Sequence, residues 1–196
     1  MNNRMSLAKR ETSETKVYIK LNLDGKGVYS ISTGLGFFDH MLELFSKHSM
    51  IDLEIKVKGD LYVDEHHTIE DTGIVLGQAI RKALGTKTGI ERYGFFVPMD
   101  ESLCSVALDL GGRSYLVWNA EFKKEKVGDL PTDMIEHFFK SFSDNLLANI
   151  HINLLYGNND HHKVESIFKG VAKALRFAIS RDKRVLDLIP STKGHI

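Results

Sequence analysis

The sequence predicts an α+β fold, an internally duplicated β-β-α-β-α unit giving two sheets, each with helices packed on one face. Three observations carry this expectation. The hexads HHTIED at 66–71 and HHKVES at 161–166 recur ninety-five positions apart. Upstream, Asp39-His40 before MLELF and Glu136-His137 before FFKSF recur in the same order, ninety-seven positions apart. Two matches at nearly one offset mark a repeat, and strand-like alternation gives way to helical periodicity in the same succession in both halves.

In the first half, TKVYIKLNLDG and GVYSIST alternate like strands around a turn at 24–27. FFDHMLELFSKH then reads as a helix, MIDLEIKVKGD as a strand and HHTIEDTGIVLGQAIRKALG as a long helix. In the second half, RYGFFVPMD, SLCSVALDLG and SYLVWNAEF read as strands, with Gly111-Gly112 turning between the last two. Helix TDMIEHFFKSFSDNLLA, strand NIHINLLYG and helix HHKVESIFKGVAKALRFAIS follow, so the second half carries one extra strand. The seam falls at 86–91, making 1–90 the first repeat and 91–196 the second, two pseudo-symmetric halves of one compact unit. Strands interleaved with helices in this way place the helices on one face of each sheet.

The chain has 196 residues, 26 Lys+Arg against 26 Asp+Glu, and 42% hydrophobic residues, enough for one large or two small packed domains. Zero net charge lacks the basic footprint of a dedicated nucleic-acid or membrane-surface binder. Small molecules and further copies of the chain are the expected partners. The opening MNNRMSLAKRETSETK has no apolar core for a secretory signal, and no stretch approaches the roughly 20 apolar residues that span a bilayer. A soluble, cytoplasmic protein is expected. The single cysteine, Cys104, has no disulfide partner and reads as a small buried hydrophobe in its strand.

Nine histidines are the unusual part of the composition. On a wheel of about 100° per residue, Glu70 falls between His66 and His67, while Ile69, Leu76, Ile80 and Ala83 gather on another arc. The second helix repeats this, with His161, His162 and Glu165 on the polar arc and Val164, Phe168, Val171 and Leu175 on the core side. Core histidines would sit within the apolar stripe, and a solvated face would favour Lys and Glu over paired His. Imidazole with carboxylate suits Mn, Fe, Zn, Co or Ni, and the lack of Cys ligands argues against structural zinc. Adjacent histidines project about 100° apart, so they serve two ions better than one. Adding His40 and His137 gives six His and two Glu, which divide into two sites of three His and one Glu. Each site would borrow a His from the opposite repeat or another subunit and keep open positions for substrate or water.

The segments GFFDHMLELFSKHSMIDLEIKVKGD, HHTIEDTGIVLGQAIRKALG, PMDESL, DLGGRSYL, GNNDHHKVESIFKGVAKALRFAI and PSTKG resemble the imidazoleglycerol-phosphate dehydratases of histidine biosynthesis, over about 10–194. With no phosphatase domain in the sequence, the monofunctional form is expected. The resemblance implies a fold like domain 2 of ribosomal protein S5 and a lyase that removes water from imidazole glycerol phosphate to give imidazole acetol phosphate. It also implies two Mn2+ per active site binding the ring as imidazolate, and trimers building a 24-mer.

Carried over by position, the resemblance makes His40, His66, His67, Glu70, His137, His161, His162 and Glu165 the metal ligands. The expected grouping is His40, His67, Glu70 and His161 on one ion, and His137, His162, Glu165 and His66 on the other. Glu14, Glu70 and Glu165 are the candidate catalytic carboxylates, with Glu14, placed in the first strand, as proton carrier. Substrate contacts are expected from Glu14, His40, His48, His66, His67 and His161, and phosphate contacts from Arg92, Arg113, Lys169, Ser191 and Lys193. Ser49 stands where the family usually has glycine, at a cost of order 1 kcal/mol if that position needs a positive φ. His151 and His195 have no assigned role.

Two other readings stay open from the residues. A two-metal hydrolase would use similar ligands but ordinarily wants more bridging carboxylates than two. A binding module is compatible with β-β-α-β units, which are not tied to one function.

Overall fold

The computed structural model describes residues 4–95 and 97–196. In chain order they form β1 (Met5–Glu11), β2 (Thr15–Asn22), β3 (Tyr29–Ser32), α1 (Gly36–Ser49), β4 (Asp52–Gly59) and α2 (His66–Leu84). Then come β5 (Tyr93–Gly94), β6 (Val97–Met99), β7 (Ser102–Asp109), β8 (Tyr115–Asn119), β9 (Lys126–Val127), β10 (Leu130–Pro131), α3 (Asp133–Leu146), β11 (Asn149–Tyr156) and α4 (Asp160–Ala178). The α+β class expected from the pattern is borne out, with α1 and α2 against the first sheet and α3 and α4 against the second.

The strand order is β1-β2-β4-β3 in one sheet and β5-β7-β11-β8 in the other, with β6 also pairing β7. Here the expected hairpins are corrected. β2 and β3 do not pair with each other, because β4 lies between them, antiparallel to β2 and parallel to β3. In the same way β11 separates β7 from β8. The physical reason is the helical crossover: α1 leaves β3 and delivers β4 parallel to it, as a crossover connection does, into the slot beside β2. α3 does the same for β8 and β11.

A second correction concerns the extra strand assigned to the second half. β1 supplies its counterpart in the first sheet, paired antiparallel to β2 from Met5↔Asn22 to Glu11↔Lys16. As an edge strand whose residues are mostly exposed, it shows little apolar alternation, and only the ladder with β2 makes it a strand. RYGFFVPMD divides into β5 and β6, with Phe96 outside the described residues, and the short β9–β10 pair has no hydrophobic pattern of its own.

The two helix layers pack on each other, α2 on α3 and α1 on α4, and this contact forms the centre of the molecule. Phe38 meets Phe138 edge-on at 5.4 Å and Phe45 meets Phe142 at 6.0 Å, all four fully buried. Gly73 and Gly77 let α3 come close, since a Cβ on either would stand 2.7 Å from the Phe138 carbonyl or 2.6 Å from that of Phe142. This packing brings the histidines of different helices together. Among the described residues no helix is long and apolar enough to cross a membrane.

Candidate metal centre

Both hexads begin on the same local device. The side chain of Asp64 accepts the backbone N–H of His66 at 2.9 Å, and that of Asn159 accepts the N–H of His161 at 2.9 Å. Each is an Asx residue two positions ahead, satisfying a donor that the first helical turn leaves free. The following histidines are thereby fixed at the mouth of a helix whose other face is core.

α1 packs on α4 and sets His40 beside the second hexad. Nε2 of His40 lies 3.4 Å and Nε2 of His161 3.0 Å from Oε1 of Glu165. One donor atom from each of the three lies within 4.8 Å of the others. For metal–ligand bonds of about 2.0–2.2 Å, adjacent donors stand roughly 3 Å apart, so this set fits one transition ion. Phe37 seats the His161 ring edge-on at 5.0 Å, and Asp129 accepts the N–H groups of Gly36 and Phe37 at the start of α1. Glu165 is only 7% exposed. Burial raises its pKa, but Lys169, at 2.5 Å from Oε2, together with His161 and His40, outweighs that and holds it below the usual carboxylate value.

The first hexad has a related arrangement with α3. The His66 and His137 rings lie 5.2 Å apart, and Nε2 of His66 is 3.5 Å from Oε2 of Glu70. This Glu side chain is 43% exposed. Within one chain, therefore, His161 and His66 each face the carboxylate four residues along their own helix, and among the described residues only the set with His40 brings three donors within 4.8 Å of one another. The expected grouping had placed the other helix's Glu there and added His67 or His162. The i, i+4 spacing explains the difference, because those two positions share a helix face.

His67 and His162 stand outside both clusters. Nδ1 of His67 is 3.1 Å from Asp60, and Nδ1 of His162 is 2.7 Å from Glu101. Both imidazoles have raised pKa values, caused first by those hydrogen bonds. The Glu101 carboxyl is held down to about 2, first by His162 and then by the backbone N–H of Asn159. Asp60 and Glu101 were not among the residues singled out from sequence; a lone Asp after a strand and a Glu in a turn carry no pattern.

Glu14 lies in the bend between β1 and β2, not within a strand as expected, because Thr12 closes a turn by accepting the N–H groups of Glu14 and Thr15. Its Oε2 reaches to 3.8 Å from Nε2 of His67. Buried Asp71 ties this bend to α2 by accepting from Arg10 and Thr15. His48 is in the last turn of α1, where burial first, then Lys169 and Lys173, lowers its pKa and favours the neutral ring. Ser49 keeps helical geometry and the positive φ of 62° belongs to Met50, so the expected strain is not at Ser49.

Arg92, Arg113, Ser191 and Lys193 line one cleft of about 620 Å3, beside Tyr93 and His195. Arg92 grips Asp109 through two nitrogens, at 2.5 and 2.9 Å, and donates to the Pro190 carbonyl, anchoring the C-terminal tail. Lys169 does not line this cleft, and none of the eight candidate ligands does. His151 is exposed on β11, and Nδ1 of His195 donates to the Lys193 carbonyl at 3.0 Å.

Comparison with known proteins gives the chain's family. The family described as imidazoleglycerol-phosphate dehydratase matches residues 33–175. The chain is 53% identical to the imidazoleglycerol-phosphate dehydratase of Clostridium acetobutylicum, covering 98% of each. It is 58% identical over 97% of its length to the histidine biosynthesis bifunctional protein HisB of Spirosoma linguale, and 60% over 95% to that of Bacteroides fragilis. The chain spans about half the length of these bifunctional relatives. A crystal structure of the Staphylococcus aureus dehydratase superposes with a TM-score of 0.82 at 38% identity, over 91% of this chain and 99% of that one. A Pyrococcus furiosus structure in complex with (S)-C348 gives 0.83 at 33% identity, over 96% and 99%. The matched span holds both hexads and both partner histidines, His40 and His137, so the chain belongs to the imidazoleglycerol-phosphate dehydratase family.

Proposed function

We propose that the protein is a carbon–oxygen lyase of histidine biosynthesis, dehydrating imidazole glycerol phosphate to imidazole acetol phosphate in the cytoplasm. The carrying observation is the convergence of His40, His161 and Glu165 within one coordination radius. Two Mn2+ ions, one on each cluster, would supply Lewis acidity that stabilises the substrate's imidazole ring as an anion. His40, His161 and Glu165 would hold one ion, and His66, His137 and Glu70 the other. The remaining work falls to the chain. Glu14, exposed beside His67, carries the proton taken from carbon. A proton and a hydroxide leave together as water, and enol-to-ketone tautomerisation follows. Arg113, Ser191 and Lys193 bind the phosphate, with Arg92 holding their tail in place.

The phosphate cleft and the histidine clusters share no lining residue, and each cluster has two imidazoles where three were expected. Both features support sites completed between copies, His67 and His162 serving a neighbour's cluster, in trimers that build a 24-mer. Each cluster joins one repeat's hexad to a histidine of the other, which supports reading 1–90 and 91–196 as two repeats of one unit. The test is to incubate the Mn-loaded protein with imidazole glycerol phosphate and follow the ketone. Ketone formation, with activity and particle mass both lost on chelation, is expected. Phosphate release without ketone would select a hydrolase instead.

A further inference from the structure

His67 and His162 are treated alike by the fold, through residues that the duplication does not relate. Asp60, at the end of β4, lies seven residues before His67, whereas Glu101, in the turn between β6 and β7, lies sixty-one before His162. The repeat therefore does not explain why each imidazole meets a carboxylate at the same nitrogen. Both carboxylates are themselves restrained. The Asp60 side chain is 11% exposed. Oε1 of Glu101 accepts the N–H groups of Asn158 and Asn159 at 3.2 and 2.9 Å, leaving Oε2 for His162.

We propose that Asp60 and Glu101 are positioning residues that grip His67 and His162 through Nδ1 and so present Nε2 as a metal ligand. A neutral imidazole has one N–H and one lone pair, and an ionised carboxylate only accepts. The contact at Nδ1 therefore keeps the proton there, turns the ring to one orientation and frees the Nε2 lone pair. The nearest carboxylates to each Nε2, Glu14 at 3.8 Å and Asp100 at 3.9 Å, are beyond hydrogen-bond range and leave it open. His66 and His161 differ, because their Nε2 atoms already face the Glu of their own helix.

This inference rests on the metal-centre reading, and Mn2+ titration of the chelator-stripped full-length protein, followed by the electron paramagnetic resonance of free Mn2+, separates the two. Wild type is expected to take two ions per chain. Asp60→Ala should weaken uptake of one of them by about 10–100-fold, and Glu101→Ala that of the other. Asp60→Asn, which keeps the shape and an acceptor oxygen, should fall between. His67→Ala should weaken uptake of the same ion, and adding Asp60→Ala in that background should weaken it no further. A merely structural Asp60 would add its loss to that of His67→Ala, and that outcome, or wild-type uptake by Asp60→Ala, overturns the proposal. No uptake by wild type would instead overturn the metal-centre reading, and this proposal with it.

Discussion

Oε1 of Glu165 lies 3.0 Å from Nε2 of His161, one helical turn back on α4, while the adjacent His162 faces Glu101. One helix start thus directs two neighbouring imidazoles to different places. A single ion at His40, His161 and Glu165 therefore does not take both imidazoles of the hexad from one chain.

Glu165→Gln removes the only charge in that cluster's ligand set and leaves the Lys169 ammonium without its partner. Manganese content should fall by about half and turnover on the order of 100-fold or more. Metal analysis and single-turnover assay check this; full metal content would dismiss Glu165 as a ligand.

Lys193→Ala acts in the cleft proposed to bind the phosphate, which none of the candidate metal ligands lines. Losing one charge-assisted contact, worth about 1.5–3 kcal/mol, should raise KM by roughly 10–100-fold with a smaller change in kcat. Steady-state kinetics decide it, and an unchanged KM would take Lys193 out of the site.

Gly73→Ala puts a methyl group against the Phe138 carbonyl, which is backbone and cannot swing aside. Overpacking should cost about 1–3 kcal/mol and lower Tm by roughly 2–4 °C for each of them. His137 follows Glu136 in the same α3 segment, so manganese affinity at the His66 cluster should fall as well. Calorimetry with metal titration tests both, and a variant as stable as wild type would show that the helices have room to part.

Cys104 is fully buried on β7, and burial pushes its thiol up to about 12. A disulfide reagent at pH 8 should release no product from the native protein and one equivalent after unfolding. Rapid stoichiometric labelling of the native chain would contradict a structural role.

Much of the site was legible because paired His at i, i+1 with Glu at i+4 is an improbable surface pattern, and its recurrence with DH and EH upstream made it more so. The four helices were legible for a related reason: their core stripes, such as Val164, Phe168, Val171 and Leu175, repeat locally. β1 was not, since an edge strand with little burial borrows its conformation from β2. Nor were the carboxylates Asp60 and Glu101, whose meaning lies wholly in which ring they touch.

The chain's own order of residues determined its helices and the recurrence of its histidine–carboxylate hexads, because these follow from local periodicity and residue type. Tertiary structure alone decided that β4 and β11 slip between their predecessors, that His40 meets Glu165, and that His67 and His162 turn away. The first follows from helical crossovers, the second from α1 packing on α4 across 125 positions, and the third from which carboxylate each imidazole meets in space, none of which leaves a periodic trace along the chain.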